Sequence, residues 1–315
     1  MKKVLALVLA LCMVFSLVAC AQKEPAKTEE PAKTEEPAKT EGPAKTEEPA
    51  KTEEPAEEAP AEEAEPAYME KLVEPGKLTI GTTGAAAPFT YYNEDNELVG
   101  YDIEIGTKLA EALGLEPNFV VLDWAGLLPG LQSGRFDLVM SGVTITNERL
   151  NAEGMILTEP YTVNGVSLAR KIGNTEVTGW DTLSGKVMGC TTGSAQAKMA
   201  EERLPAGTIT DRMEYPGWAE MLLDLEAERI DYLLIDFLGL SYYDLSGEAN
   251  LEVVGEPLVL TTQGVAIYSE ETALADEVCA LINEYRESGM LDEAITRHFG
   301  AFLPFDLMET TEIAY

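Results

Sequence analysis

The chain has 315 residues and a formal charge of −34, from 22 Lys and Arg against 56 Asp and Glu. The acidity is shared between residues 21–67, at −9, and residues 68–315, at −27. This sets nucleic acid and anionic lipid surfaces aside as partners, and it gives weight to any Arg that falls in a pocket.

Met1 to Ala19 reads as a secretory leader, with Lys2 and Lys3 ahead of an apolar run from Val4 to Val18. The run is too short to favour a permanent transmembrane helix. Its end, Leu17-Val18-Ala19-Cys20, resembles the bacterial lipobox, which implies cleavage before Cys20 and lipid on its thiol. From Glu24 an EPAKTE unit repeats every six residues, varied once at Gly42, then decays into Glu, Ala and Pro before Ala67. No apolar residue larger than Ala occurs there, so residues 20–67 read as a lipidated cysteine on a solvated tether. Fully extended at ~3.1 Å per residue, it would reach roughly 140 Å.

The remaining residues alternate strand-like and helix-like stretches. Lys77–Thr83 predicts a strand, Asn93–Asn96 a hairpin turn, and Asp102 the cap of a helix closed by Gly114. Strands at Phe119–Leu122 and Phe136–Met140 flank a helix at Trp124–Gln132. Ser141–Arg149, SGVTITNER, follows the second of these and reads as a helix start. Its free N–H groups, the Ser141 and Thr144 hydroxyls and the Arg149 fork would suit a carboxylate. The same residues could equally cap a helix and leave Arg149 on its solvated face beside Glu148 and Glu153. A second series follows: strands Val163–Ala169 and Lys186–Cys190, a helix from Gln196, strand Thr208–Tyr215, helix Trp218–Glu228 and strand Tyr232–Ile235. A strand over Leu258–Tyr268 precedes a helix capped by Ser269, with a Leu274, Val278, Leu281, Ile282 and Tyr285 stripe, and a last helix over Met290–Phe299. The pattern predicts an α/β fold of two lobes with mainly parallel sheets and a ligand between them. Cys190 and Cys279 lie in apolar surroundings and read as two buried free thiols rather than a bridge.

Several fragments together resemble a known family: GKLTIGTT (76–83), APFTYYNEDNELVGYDIEI (87–105), DWAGLLPGLQSGRFDLVMSGVTITNER (123–149), EPY (159–161), CTTGSAQ (190–196), ERIDYLLID (228–236) and EVVGEPL (252–258). Their order and spacing resemble the extracellular solute-binding proteins of amino-acid ABC importers, with the type II periplasmic-binding-protein fold. The resemblance implies lobe 1 over 68–162 plus 263–315 and lobe 2 over 163–262, closing about hinges near Thr162–Val166 and Thr261–Val265. It implies that Arg149, with Thr144 alongside, clamps an α-carboxylate, that Gly193 and Ser194 add donors to it, and that Ser141 helps hold the α-ammonium. Asp236 would be the ammonium's counter-charge, Trp124 an aromatic wall, and Gln196 an amide contact, with Asp231 structural.

Two positions depart from the family pattern. Ala86 stands where an aromatic lid is common, and Thr83 where binders of basic amino acids tend to carry an acid. The implied ligand is therefore a polar or neutral amino acid rather than a cationic one, with Asp123 a rival source of negative charge. The implied protein is a monomer that works with ABC permease and ATPase subunits. It would touch the membrane through its lipid alone, on the outer face of the cell, with no cofactor, metal or nucleic acid and with His298 structural. Two alternatives share the fold: a cyclohexadienyl-dehydratase-like enzyme and a receptor that presents its ligand to a signalling partner. The dehydratase uses a glutamate where this chain has Gln196, and an amide is no general acid.

Overall fold

The computed structural model describes residues 66–300 and Phe305; the leader, Cys20 and the EPAKTE tether lie outside them. A 3-10 turn at Ala67–Glu70 opens the described chain. The Lys77–Thr82 run then enters the middle of a sheet, which explains why five of its six residues are buried. Its parallel neighbours are Glu116–Val121 and Leu138–Val139, with Ile80 opposite both Phe119 and Leu138. Ala266–Tyr268 returns antiparallel beside Leu138–Val139, and Met155–Leu157 forms the far edge. Helix Tyr101–Ala112 covers the sheet with Ile105 and Leu109, and Gly114, at φ +71°, ends it.

The second lobe is built on the long strand Thr162–Lys171. Tyr232–Asp236 runs antiparallel along one side of it, and Leu251–Val253 and Val259–Gln263 along the other. Val187–Thr191 and Asp211–Tyr215 extend the sheet in parallel beyond Tyr232–Asp236. The chain crosses between lobes twice, side by side: Tyr161 N–H donates to the Gln263 carbonyl at 2.9 Å, and Thr158 N–H to that of Val265 at 3.0 Å. Helix Met290–Phe299 closes the molecule, with Phe299 4.6 Å from Phe89, ring centroid to centroid.

Four expectations are corrected. Asp102 is no helix cap: the cap position is Gly100, and the fully buried Asp102 accepts from Gly142 N–H and the Tyr161 hydroxyl at 2.9 and 2.7 Å. Leu258–Tyr268 is two strands, Val259–Gln263 in one sheet and Ala266–Tyr268 in the other. Gly264 lies between them, where a Cβ would stand 3.0 Å from the Thr158 carbonyl oxygen. Ser269 does not cap the following helix, Thr272–Glu287, whose cap position is Glu271. Finally, Cys190 and Cys279 are both free, but only Cys190 is buried.

Candidate functional site

Strand ends set the site. Ser141, Gly142 and Thr144 follow Leu138–Val139, and Thr144 is bridged to Gln263 on the returning crossing strand. The expected helix start at Ser141 comes later and is short, Asn147–Leu150, with the Thr146 hydroxyl accepting from Arg149 N–H at 3.2 Å. The helix N-terminus that faces the ligand space is instead Ala195–Arg203, in the second lobe. Its cap residue, Ser194, makes no capping bond, and both the Ser194 and the Thr191 hydroxyls are buried without a partner.

These elements line a cleft with about 510 Å³ of empty space, counting the open solvent at its mouth. Arg149, Trp124, Ser141 and Thr144 reach it from the first lobe, and Ser194, Gln196 and Asp236 from the second. Arg149 Nη1 donates to the Thr144 carbonyl at 2.8 Å, and its guanidinium lies 5.2 Å above the Trp124 ring. Burial lowers the Arg149 pKa to about 10, against the opposing charges of Glu148 and Asp236, so it remains a cation at neutral pH. Asp236, 6% exposed at the end of its strand, has its carboxyl pushed up to about 7 by burial. The hydrogen bond from Gln196 Nε2, 2.9 Å, and the Arg149 charge only partly oppose that shift. A buried acid and a half-buried cation thus face one small space from different lobes. Their full strength needs an occupant that carries both complementary charges.

The remaining expected residues fall as follows. Ser141 lines the cavity and shares a 3.0 Å hydrogen bond with the Thr83 hydroxyl. Trp124 donates through Nε1 to the Gly193 carbonyl at 3.2 Å, a direct tie across the lobes. Gly193 itself lies outside this lining, on an adjoining outer cleft that it shares with Ser194, Lys198 and Glu148. Lys198 and Glu148 pair across the lobes at 2.5 Å. Asp123 is exposed and away from the lining. His298 pairs with Glu104 at 2.8 Å, also away from the cavity, and Asp231 accepts from Val187 N–H within the second lobe. Among the described residues no metal-ligating cluster occurs. Sequence reasoning missed Thr191, Pro216, Gly217 and Trp218, all on this lining. They come from a strand end, a loop and the first residue of helix Trp218–Glu226, whose relation to the first lobe has no local signal.

The family model for bacterial extracellular solute-binding proteins, family 3, matches residues 78–301. The L-cystine-binding protein TcyJ of Escherichia coli K12 is 30% identical over 241 residues, 76% of this chain and 88% of that protein. The L-cystine-binding protein TcyA of Bacillus subtilis is 29% identical over 71% of this chain and 82% of its own length. Among solved structures, an ancestral arginine-binding protein bound to glutamine superposes with a TM-score of 0.65 at 27% identity, covering 72% of this chain and 99% of its own. A cyclohexadienyl dehydratase of Pseudomonas aeruginosa matches over 86 residues only, at 35% identity, 27% of this chain and 32% of the enzyme.

Proposed function

The chain belongs to the bacterial extracellular solute-binding proteins of family 3, and from that premise we propose that it captures a neutral amino acid between its lobes for delivery to an ABC permease. The observation that carries this reading is the placement of half-buried Arg149 and buried Asp236 on one cavity. The Arg149 fork and the unpartnered Ser194 and Thr191 hydroxyls suit an α-carboxylate, helped by the first N–H groups of Ala195–Arg203. Asp236 suits the α-ammonium. Ser141 and Thr144 shape the floor, Trp124 backs the guanidinium, and Gln196 holds the Asp236 carboxylate in place.

The ligand's side chain is neutral because Asp236 is committed to the ammonium and, among the described residues, no further acid lines the cavity. The relatives named for L-cystine agree with a neutral ligand. Residues 68–162 with 263–315 form one lobe and 163–262 the other, and the paired crossings at Tyr161 and Gln263 serve as the hinge. Binding gives the closed state extra affinity and so shifts the population toward it. The chain is a binding protein, not an enzyme: Gln196 offers an amide where proton transfer would need an acid. Upstream, Cys20 carries lipid that holds a monomer at the outer face of the membrane, with the EPAKTE tether as spacer.

A thermal-shift screen of the twenty amino acids and cystine against the purified chain tests this. A ligand that binds only the folded state raises its melting temperature, by about 2.7 kcal/mol of stability at a hundredfold excess over Kd. Neutral amino acids are expected to give the largest shift. No shift with any of them, or turnover of prephenate or arogenate, would overturn the reading.

A further inference from the structure

The cavity lining is polar around Arg149 and Asp236 but carries one continuous uncharged wall. Ala85 and Ala86 form it from the first lobe, and Pro216, Gly217 and Trp218 from the second. The two halves meet closely: a Cβ on Gly217 would stand 3.0 Å from the Ala85 Cβ. Ala86 stands where the family resemblance puts an aromatic lid in the first lobe. Trp218 brings an aromatic ring to the same wall from the opposite lobe.

That ring is fixed before any ligand arrives. Trp218 is 6% exposed. A Cβ on Gly239 would come within 2.4 Å of its indole, so the helix behind it leaves the ring no slack. Phe89 stands edge-on to it at 6.2 Å and 87°, and Tyr243 at 6.4 Å and 61°. At the rim Ala85 and Pro216 are exposed, so the wall continues outward rather than ending in a blind pocket.

We infer that Trp218 recognises the ligand's side chain, and that the class it selects is a neutral amino acid with an elongated aliphatic or sulfur-bearing side chain. The inference rests on the capture reading above and names the part of the ligand that reading leaves open. The wall's contacts are dispersion and aromatic–sulfur contacts, which favour polarizable, uncharged groups. The two alanines leave room for length. Glycine would leave the wall's dispersion contacts unmade, and a polar far end would have to reach past the wall to the exposed rim at Ala85 and Pro216. Glu220 stands just outside, its carboxylate 3.8 Å from the Gly217 Cβ position, exposed and off the lining. It is an acid near enough to compete by drawing a cation over the ring.

Calorimetry on the purified chain with glycine, alanine, methionine, cystine and lysine tests the inference. Wild type is expected to bind methionine or cystine at least roughly tenfold more tightly than glycine, the scale on which apolar pockets discriminate. Trp218→Ala should collapse that ratio to within about threefold, while Trp218→Phe should keep most of it. Ala86→Leu fills the wall from the first lobe without replacing Trp218. It should turn selection toward alanine and away from methionine and cystine, and it carries the test if Trp218→Ala does not fold. An unchanged ratio in Trp218→Ala, or in Ala86→Leu, would mean that Trp218 is only core. Lysine binding most tightly would overturn the ligand class. If wild type binds none of the five, the capture reading itself fails.

Discussion

At the scale of single residues, the cost of burial organises the site. Arg149 and Asp236 both give up hydration, and each recovers only part of it within its own lobe, through the Thr144 carbonyl and the Gln196 amide. Removing the cation leaves the ligand carboxylate without its partner, which costs on the order of 2–5 kcal/mol in comparable desolvated sites. The acid adds a pH dependence with a definite sign. Burial raises the Asp236 carboxyl to about 7, while an arriving ammonium favours the carboxylate. Binding therefore releases a proton. Affinity should be full above pH 7 and fall as pH drops, by up to about tenfold per unit. Titrations between pH 8 and 5.5 check this, and Asp236→Asn should flatten the profile. A flat wild-type profile would mean that Asp236 does not meet the ammonium. Asp102 shows where residue-level reading fails. Its place before an apolar helical stripe mimics a cap, yet it is fully buried against Gly142 and Tyr161. Only the tertiary fold reveals those partners.

At the scale of elements, periodicity located most strands and helices because their apolar faces are one-sided. Helix Trp124–Gln132 and the terminal helix Met290–Phe299 fall where the stripes predict. Helix Phe237–Ser246 was not legible. It buries Leu238, Gly239, Leu240, Ser241 and Tyr243, so no polar face contrasts with an apolar one. Met155–Leu157 was missed because three residues at a sheet edge carry too little pattern. The turn into helix Tyr101–Ala112 carries a sharper constraint. Gly100 has φ +130°, and a Cβ there would meet the Phe89 carbonyl oxygen at 2.3 Å. Gly100→Ala should cost on the order of 2–3 kcal/mol, since the backbone and not a flexible side chain is in the way. At this chain length that lowers the melting temperature by roughly 4–12 °C, measurable by thermal unfolding. An unchanged melting temperature would show that the turn relaxes freely.

At the scale of the whole molecule, two sheets share one crossing of paired strands, and the site lies where elements of both lobes converge. Seven of the lining positions, Trp124, Ser141, Thr144, Arg149, Ser194, Gln196 and Asp236, were legible through the order and spacing of family-like fragments rather than through any single motif. Trp218 was not, because its meaning depends on the second lobe standing against Ala85 and Ala86. The tether is a separate matter. Its repeats have no core-forming residues, so deleting Glu24–Glu65 should leave both melting temperature and affinity unchanged, while Cys20→Ala should release the protein from cells into the medium. Cell fractionation reads the second outcome, and retention of the variant at the membrane would contradict the anchor.

The central claim, capture of one neutral amino acid between Arg149 and Asp236, is tested most directly by calorimetric titration of wild type and Arg149→Ala with the amino acid that gives the largest thermal shift. The account predicts one ligand per wild-type chain and an affinity at least roughly tenfold weaker in Arg149→Ala, with the variant still folded. Equal affinity in the two proteins would contradict it.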